Sequence, residues 1–411
     1  MGGQTSMSTR YPNIAKTKNF DGKMPAGFVN DVRGWNFSED EIKQAAIFNR
    51  LLTMDIDTPG KQGTKGKRDG LLFGGLCDKQ CPHCFRRTDE FEKVTWMGWD
   101  EQLGYLKEAK ALGLRSVKLI GPGEPLLERG LIGYLERLNA MGITVSIFTK
   151  GDIIGDDENC MKIHGMNGGA LAAKLRELGV SILLGTTSFM PELEDASVGK
   201  NGYHAARDLA IIRLAAAGFN DFIPGQPTRL AFVCTPVTPT NIDEVFDMYV
   251  WARERNIQPV MAPTMIAGGA LDKLSKIVPA RDALIGLYVR INVWAIMHGV
   301  YTLDELMRDG VAAYAGGACC NQVAVGVFMR GDGKVLRCPG DDITILGDLH
   351  DKTLTEIWNT RAASSMRYAG KYNVGCPPKY GISFPPNFFE DVLRRVVERC
   401  AELGIFPRPG P

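Results

Sequence analysis

Three cysteines fall within eight residues of the stretch "LCDKQCPHCFRR" (76–87): Cys77, Cys81 and Cys84, spaced C-x3-C-x2-C. Thiols at that density point to a metal or an iron–sulfur cluster. Three thiolates can bind three irons of a [4Fe–4S] cluster, which leaves the fourth iron without a protein thiolate. Such an open iron can bind a small molecule, so the site would be reactive rather than structural. The competing chemistry is a Cys3His zinc site that uses His83. His83 lies between two of the cysteines, where its ring points awkwardly for a tetrahedron shared with both. A zinc knuckle also pairs its C-x2-C with a distant second pair. Three unligated core thiols around one proline are the least fitting alternative.

A second group of cysteines follows residue 300: Cys319, Cys320, Cys338, Cys376 and Cys400. Cys320, Gly333 and Cys338 form the pattern C-x12-G-x4-C. Adjacent Cys319 and Cys320 point in different directions in most backbones, so their joint use on one cluster is possible but not easy. Two buried hydrophobes in a Gly/Ala-rich turn are the bland alternative for that pair. Cys400 lies on the amphipathic stretch "FFEDVLRRVVERCAELG", and it reads as core, as do Cys160 and Cys234.

Loops of this kind need elements to hold them. From residue 70 the chain alternates short apolar runs with amphipathic ones. The strand candidates are "GLLFGGLC", "SVKLIGPGEP", "TVSIFTKG", "VSILLGTTSF", "TRLAFVCTPVT" and "QPVMAPTMI". Between them lie helix patterns such as "ERGLIGYLERLNAMG", with Leu131, Leu135 and Leu138 on one face. The alternation predicts a parallel sheet with right-handed crossovers. Six units are too few for the closed barrel of eight, so an open partial barrel fits better than a doubly wound sheet. Function in such folds gathers at the C-terminal ends of the strands. The expected fold is α/β, a partial (β/α)6 TIM-like barrel with a small C-terminal α+β domain. The boundaries read as an N-terminal extension at 1–68, the barrel at 69–311 and the small domain at 312–411. The extension carries one helical stretch, 38–52, with Ser38 and Glu41 as a capping box. A β-hairpin is expected over 323–338, turning at Gly331–Gly333.

A net charge of +1 gives no global electrostatic case for nucleic acid or an acidic membrane surface. No apolar run reaches the roughly 18 residues of a membrane helix. No secretory signal is legible, so a cytoplasmic chain with reduced thiols is expected.

C-x3-C-x2-C within a βα series resembles the radical S-adenosylmethionine (SAM) superfamily, and "GPGEP" (121–125) after the second strand strengthens the resemblance. The resemblance covers residues 70–270. It implies a partial barrel, a [4Fe–4S] cluster on Cys77, Cys81 and Cys84, and SAM on the open iron. It also implies one-electron cleavage of SAM to a 5′-deoxyadenosyl radical that takes a hydrogen atom from substrate. Gly123 and Glu124 match the segment that meets the methionyl amino group, and a carboxylate suits an ammonium. The backbone at His83 would meet adenine, a position where many members carry an aromatic residue. Ser188 and Lys150 are further candidates for polar contact with SAM.

The second cysteine group resembles the auxiliary-cluster module called SPASM in its long form and twitch in its short form. "LGDLHDKTLTEIWNT" (346–360) supports this. The chain departs from the full module, having cysteines enough for one auxiliary [4Fe–4S] cluster on Cys320, Cys338 and Cys376. Lys379 stands where a fourth ligand is expected, so either Cys319 supplies it or a second iron is open.

The resemblance implies an oxygen-sensitive enzyme with an electron donor such as flavodoxin or ferredoxin. A small polar metabolite is the expected substrate, because residues 1–68 show no strand triplet of a peptide-recognition domain. Dehydrogenation, rearrangement, decarboxylation and epimerisation all remain open. Maturation of a peptide or protein is the alternative, and a metal-stabilised binding protein is the non-enzyme alternative. No catalytic acid or base is assigned; Asp152, Thr235 and Thr264 at strand ends read as structural.

Overall fold

The computed structural model describes residues 10–18, 20–59, 77–86, 96–318, 320–341, 344–360, 376 and 379–407. Among them one sheet runs β6-β5-β4-β3-β2-β1-β7-β8-β9. The strands are β1 (Thr53–Ile56), β2 (Ser116–Leu119), β3 (Thr144–Thr149), β4 (Ser181–Gly185), β5 (Leu230–Cys234), β6 (Gln258–Met261), β7 (Gly326–Met329), β8 (Lys334–Leu336) and β9 (Ile345–Asp348). From β6 across to β7 every neighbour is parallel. β7, β8 and β9 pair antiparallel. Helices Trp99–Leu112, Leu131–Ala140, Gly168–Glu177, Tyr203–Ala216 and Ile242–Arg253 separate the parallel strands β1 to β6. Arg281–Met297 follows β6, and the C-terminal helix Phe388–Glu402 packs against it.

The start of the barrel differs from expectation. The apolar run at residues 70–76 lies outside the described residues. The place beside β2 is taken by β1, from the segment read as an extension, with Met54 opposite Val117 on one side and Val327 on the other. Residues 53–56 of the segment read as an extension are therefore part of the barrel sheet. The helix before β1 spans Glu39–Ile47, shorter than the expected 38–52, and its Ser38–Glu41 capping box is formed. Asn49 then takes a positive φ of 54°, and the chain turns into β1. The hairpin expected over 323–338 is β7–β8, with Gly333 at φ +89° in its turn. It continues the barrel sheet, since β7 lies on β1.

Residues alternate across each strand, so the sheet has two faces. Met54, Ile56, Val117, Leu119, Val145, Ile147, Ile182 and Leu184 are fully or almost fully buried in the main core. Each such side chain contributes about 1.5–3 kcal/mol when removed from water. The other face lines the barrel interior. Its first layer is small and hydroxylated: Thr53, Ser116, Ser146 and Ser181 are buried there. A segment before β1 crosses this end. Val32 bridges Thr228, and the Arg33 carbonyl accepts from Ser181 Oγ at 2.8 Å. Gly34 lies so close to Thr144 that a Cβ would come within 2.8 Å of it. Trp35 then enters the interior, with ring centroids 5.6 Å from Phe148 and 5.9 Å from Tyr314. The N-terminal mouth of the barrel is plugged by the chain's own segment.

Candidate functional site

The loop 77–86 carries Cys77, Cys81 and Cys84, all free and half-buried. It is tied to the barrel on both sides. On one side Lys79 Nζ contacts Asp78 Oδ1 and Asp152 Oδ1, each at 2.6 Å. Lys200 Nζ contacts Asp78 Oδ2 at 2.6 Å and Asp152 Oδ2 at 2.7 Å. Asp152 follows β3 and is buried, so this lattice fixes the loop against the C-terminal ends of the strands. Gln80 N donates to the Val198 carbonyl at 2.8 Å, and Lys273 Nζ to the Pro82 carbonyl at 2.8 Å. On the other side Arg86 reaches back to Asp57, one residue beyond β1, at 2.6 Å. Asp57 also accepts from Gly331 N at 2.9 Å, which joins the cysteine loop, β1 and the β7–β8 turn.

Burial pushes the Cys77 thiol well above its usual range; Lys79 partly offsets this, and Cys81 and Cys84 add to it. Cys81 is raised by burial as well, against the pull of Lys150 and Lys79. Thiols held together in this way become good ligands once a cationic centre draws off their protons. Among the described residues no three His, Cys, Asp or Glu side chains converge closely enough for a single metal ion. The imidazole of His83 is pushed down to about 3 by burial and by Lys150 and Lys273, so it is neutral.

The second group shows the same chemistry. Cys320, Cys338 and Cys376 are free and half-buried. Burial raises Cys338 well above the usual range, with Cys376 and Cys320 adding to the effect. Lys379 is buried beside them and donates to the Pro263 carbonyl at 2.8 Å. Burial lowers its pKa, while the three cysteines oppose that. Cys319 lies outside the described residues.

A cavity of about 250 Å³ is bordered by both the first cysteine loop, through Phe85, and the second cysteine group. At one end it is bordered by Phe85 of the first cysteine loop, Gly123, Glu124 and Lys150. At the other end stand Cys320, Cys338, Cys376 and Lys379. The walls between are mainly apolar, with Ile120, Phe148, Leu183, Val233 and Tyr314, and Trp35, Asp55 and Lys118 also line it.

The expected SAM contacts separate into two kinds. Gly123, Glu124 and Lys150 all border the cavity. Gly123 has φ +93°, a conformation that favours glycine. Glu124 is a brace as well: Oε1 accepts from Thr149 Oγ1 at 2.5 Å and Leu126 N at 3.1 Å, and Oε2 from Lys150 N at 2.7 Å. It thereby locks the loop after β2 to the end of β3. Ser188, in contrast, is fully buried and is not on the cavity wall; its Oγ donates to Glu244 Oε2 at 2.5 Å. Asp152 pairs with Lys79, and Thr235 borders the cavity. Sequence reasoning missed Trp35, Asp55 and Lys118. A charged residue in the middle of a buried strand, as in "TMDI" and "SVKL", is the signal that would find two of them.

Comparison with known proteins accords with this geometry. The family model of the radical SAM superfamily matches residues 71–230, and that of the SPASM iron–sulfur cluster-binding domain matches residues 319–377. Among curated proteins none matches the chain. Among solved structures, the fold is similar to that of Streptococcus suis SuiB bound to precursor peptide SuiA, with TM-score 0.52, 14% identity, 80% of this chain and 70% of that chain. SuiB alone gives TM-score 0.51 at 14% identity, over 80% and 71%. HydG, a maturase of the [FeFe]-hydrogenase, aligns with TM-score 0.37 and 14% identity, over 64% and 55%. Among the described residues no helix is long and apolar enough to cross a membrane. With its cysteine loop braced at the strand ends and a second cysteine group bordering the cavity, the chain carries a radical SAM domain, which implies a [4Fe–4S] cluster and SAM as cofactors, and a SPASM iron–sulfur domain.

Proposed function

We propose that this chain is a radical SAM enzyme whose substrate occupies the barrel cavity between its two cysteine groups. The observation that carries the reading is the single cavity bordered by the first cysteine loop at one end and by Cys320, Cys338 and Cys376 at the other. Cys77, Cys81 and Cys84 hold the SAM-binding cluster, and Cys320, Cys338 and Cys376 hold one auxiliary cluster. When bound, cluster and SAM supply a 5′-deoxyadenosyl radical, with the electron coming from a donor such as flavodoxin or ferredoxin in the cytoplasm. The chain's own part is positional. Gly123 and Glu124 present backbone and carboxylate to the amino group of SAM, and Lys150 lies beside them. The backbone at His83 faces the adenine. The apolar walls keep water from the reacting carbon.

The walls also bear on the substrate. A compact polar metabolite suits the volume, but Ile120, Phe148, Leu183 and Val233 suit an apolar group better. We therefore place an apolar portion of the substrate in the cavity. Peptide maturation is a second reading, favoured by the fold shared with SuiB, which was solved with its precursor peptide. A side chain entering the cavity from a peptide satisfies the same walls.

Anaerobic reconstitution followed by reduction with SAM tests the enzyme reading. The intact chain forms 5′-deoxyadenosine, and Cys77→Ala, Cys81→Ala and Cys84→Ala each abolish it. Cys338→Ala retains SAM cleavage, loses about four irons per chain and impairs product formation. Cleavage that persists in all three loop variants sinks the assignment.

A further inference from the structure

The interior end of the cavity carries a polar group that nothing in the radical chemistry uses. Asp55, on β1, is 6% exposed and borders the cavity. Its Oδ1 is buried and pairs with one ammonium. Lys118, its neighbour on β2, lies 3.4 Å away, a long contact that leaves most of the carboxylate's acceptor positions open. The Lys118 ammonium is already engaged, donating to Thr53 Oγ1 at 3.1 Å and Gln322 Oε1 at 2.7 Å. An ammonium has three donors and a carboxylate about four acceptor positions, so the free capacity at this pair lies on Asp55. Buried acceptors are rarely left unfilled.

The surroundings limit what can fill it. Trp35 stands beside the pair, its ring 5.6 Å from Lys118 Nζ, and it packs on Phe148 and Tyr314. Because Trp35 comes from the segment that plugs the barrel mouth, it limits the depth of the cavity. A group reaching Asp55 must pass apolar walls and stop against an indole.

We propose that Asp55 and Trp35 form a selective floor for an apolar substrate group that ends in one hydrogen-bond donor, a ring bearing a hydroxyl or an N–H. This rests on the reading that substrate enters the barrel cavity. Asp55 accepts from the donor, and Trp35 sets the length of the group. Lys118 keeps the carboxylate in place and is a positioning residue. The group belongs either to a free small molecule or to a residue of a peptide.

The test is equilibrium binding to the reconstituted, SAM-loaded protein without reductant. The probes are 4-ethylphenol and 4-ethyltoluene, which share a shape and differ in the donor. The phenol binds at least about tenfold tighter, because the toluene offers Asp55 no donor in place of water. Asp55→Leu combined with Lys118→Met keeps the charge balanced and removes that preference. Trp35→Ala deepens the floor and shifts preference from 4-ethylphenol towards 2-naphthol. A capped tripeptide with a central tyrosine that binds as tightly as 4-ethylphenol assigns the group to a peptide, and weaker binding assigns it to a free small molecule. Equal affinity of wild type for the two ethyl probes overturns the role of Asp55, and an unchanged size preference in Trp35→Ala overturns that of Trp35. SAM cleavage is then measured on the same samples after a reductant is added. Its absence would count against the radical reading and leave the probe result intact.

Discussion

Asp152→Ala tests whether the charge lattice, rather than the loop's own conformation, holds the first cysteine group. Asp152 and Lys79 are 2% and 1% exposed, and they meet at 2.6 Å. The lattice is balanced, with Lys79 and Lys200 against Asp78 and Asp152. Burial works against the Lys79 ammonium, yet Asp152, Glu124 and Asp78 hold its pKa above the usual lysine value. Removing one partner of a buried pair costs about 3–5 kcal/mol. Asp78 remains on Lys79 but is more exposed, so the low end, about 3 kcal/mol, is expected. Lys79→Met behaves differently: it removes a buried charge, fills the space with an apolar stem, and leaves both carboxylates on Lys200. Its expected cost is about 1 kcal/mol or less. Lys79 binds its proton more tightly folded than unfolded. Its contribution is therefore fully present below about pH 10 and is lost as pH rises through the raised value. Urea unfolding gives the two costs, and iron per chain after reconstitution reports the loop. Asp152→Ala should lose both stability and iron, and Lys79→Met should keep its iron. The argument fails if Lys79→Met costs as much as Asp152→Ala, or if Asp152→Ala lies within about 0.5 kcal/mol of wild type.

Glu124→Gln exchanges one acceptor oxygen for an NH2 that faces a donor, so it should cost about 1–3 kcal/mol in denaturant unfolding and weaken SAM binding. Gly199→Ala forces a side chain into φ +68° and brings its Cβ to 2.8 Å from the Gln80 carbonyl. It should destabilise by at least about 1 kcal/mol and lower iron retention, whereas Gly133→Ala, a position with open space around it, should not. Burial raises the Asp55 carboxyl above its usual range, against the pull of Lys118, so the folded chain holds this proton more tightly than the unfolded one. Its contribution is complete below about pH 4 and declines as pH rises through the raised value. Asp55→Asn should flatten that component of a stability–pH profile, and an unchanged slope would remove Asp55 as its source.

The reactive cysteines and the βα alternation were readable because both are local. Three thiols in one loop, and helices of period 3.6 between apolar runs, carry their meaning within a few residues. The surroundings of Ser188 were not legible, because the partner of its hydroxyl comes from a distance. It follows a strand, as a ligand contact would, and Glu244 on a later helix accepts from its hydroxyl. The plug was invisible for the same reason: Val32, Gly34 and Trp35 acquire their role only against β3 and β5, more than a hundred residues away.

β1 is the more instructive case, because its polarity hid it and also explains it. "GLLFGGLC" reads as a buried strand by continuous apolarity, whereas "TMDI" places threonine and aspartate in alternation with methionine and isoleucine. In an ordinary sheet that pattern suggests an exposed edge. Here β1 lies between β2 and β7, and all four of its residues are buried. Met54 and Ile56 face the core, while Thr53 and Asp55 meet Lys118 inside the barrel. Polar alternation in a fully buried strand implies that the second face adjoins something polar, and the complementary lysine in "SVKL" supplies only part of it. The acceptor that remains on Asp55 is the reason to look for substrate at that end of the cavity.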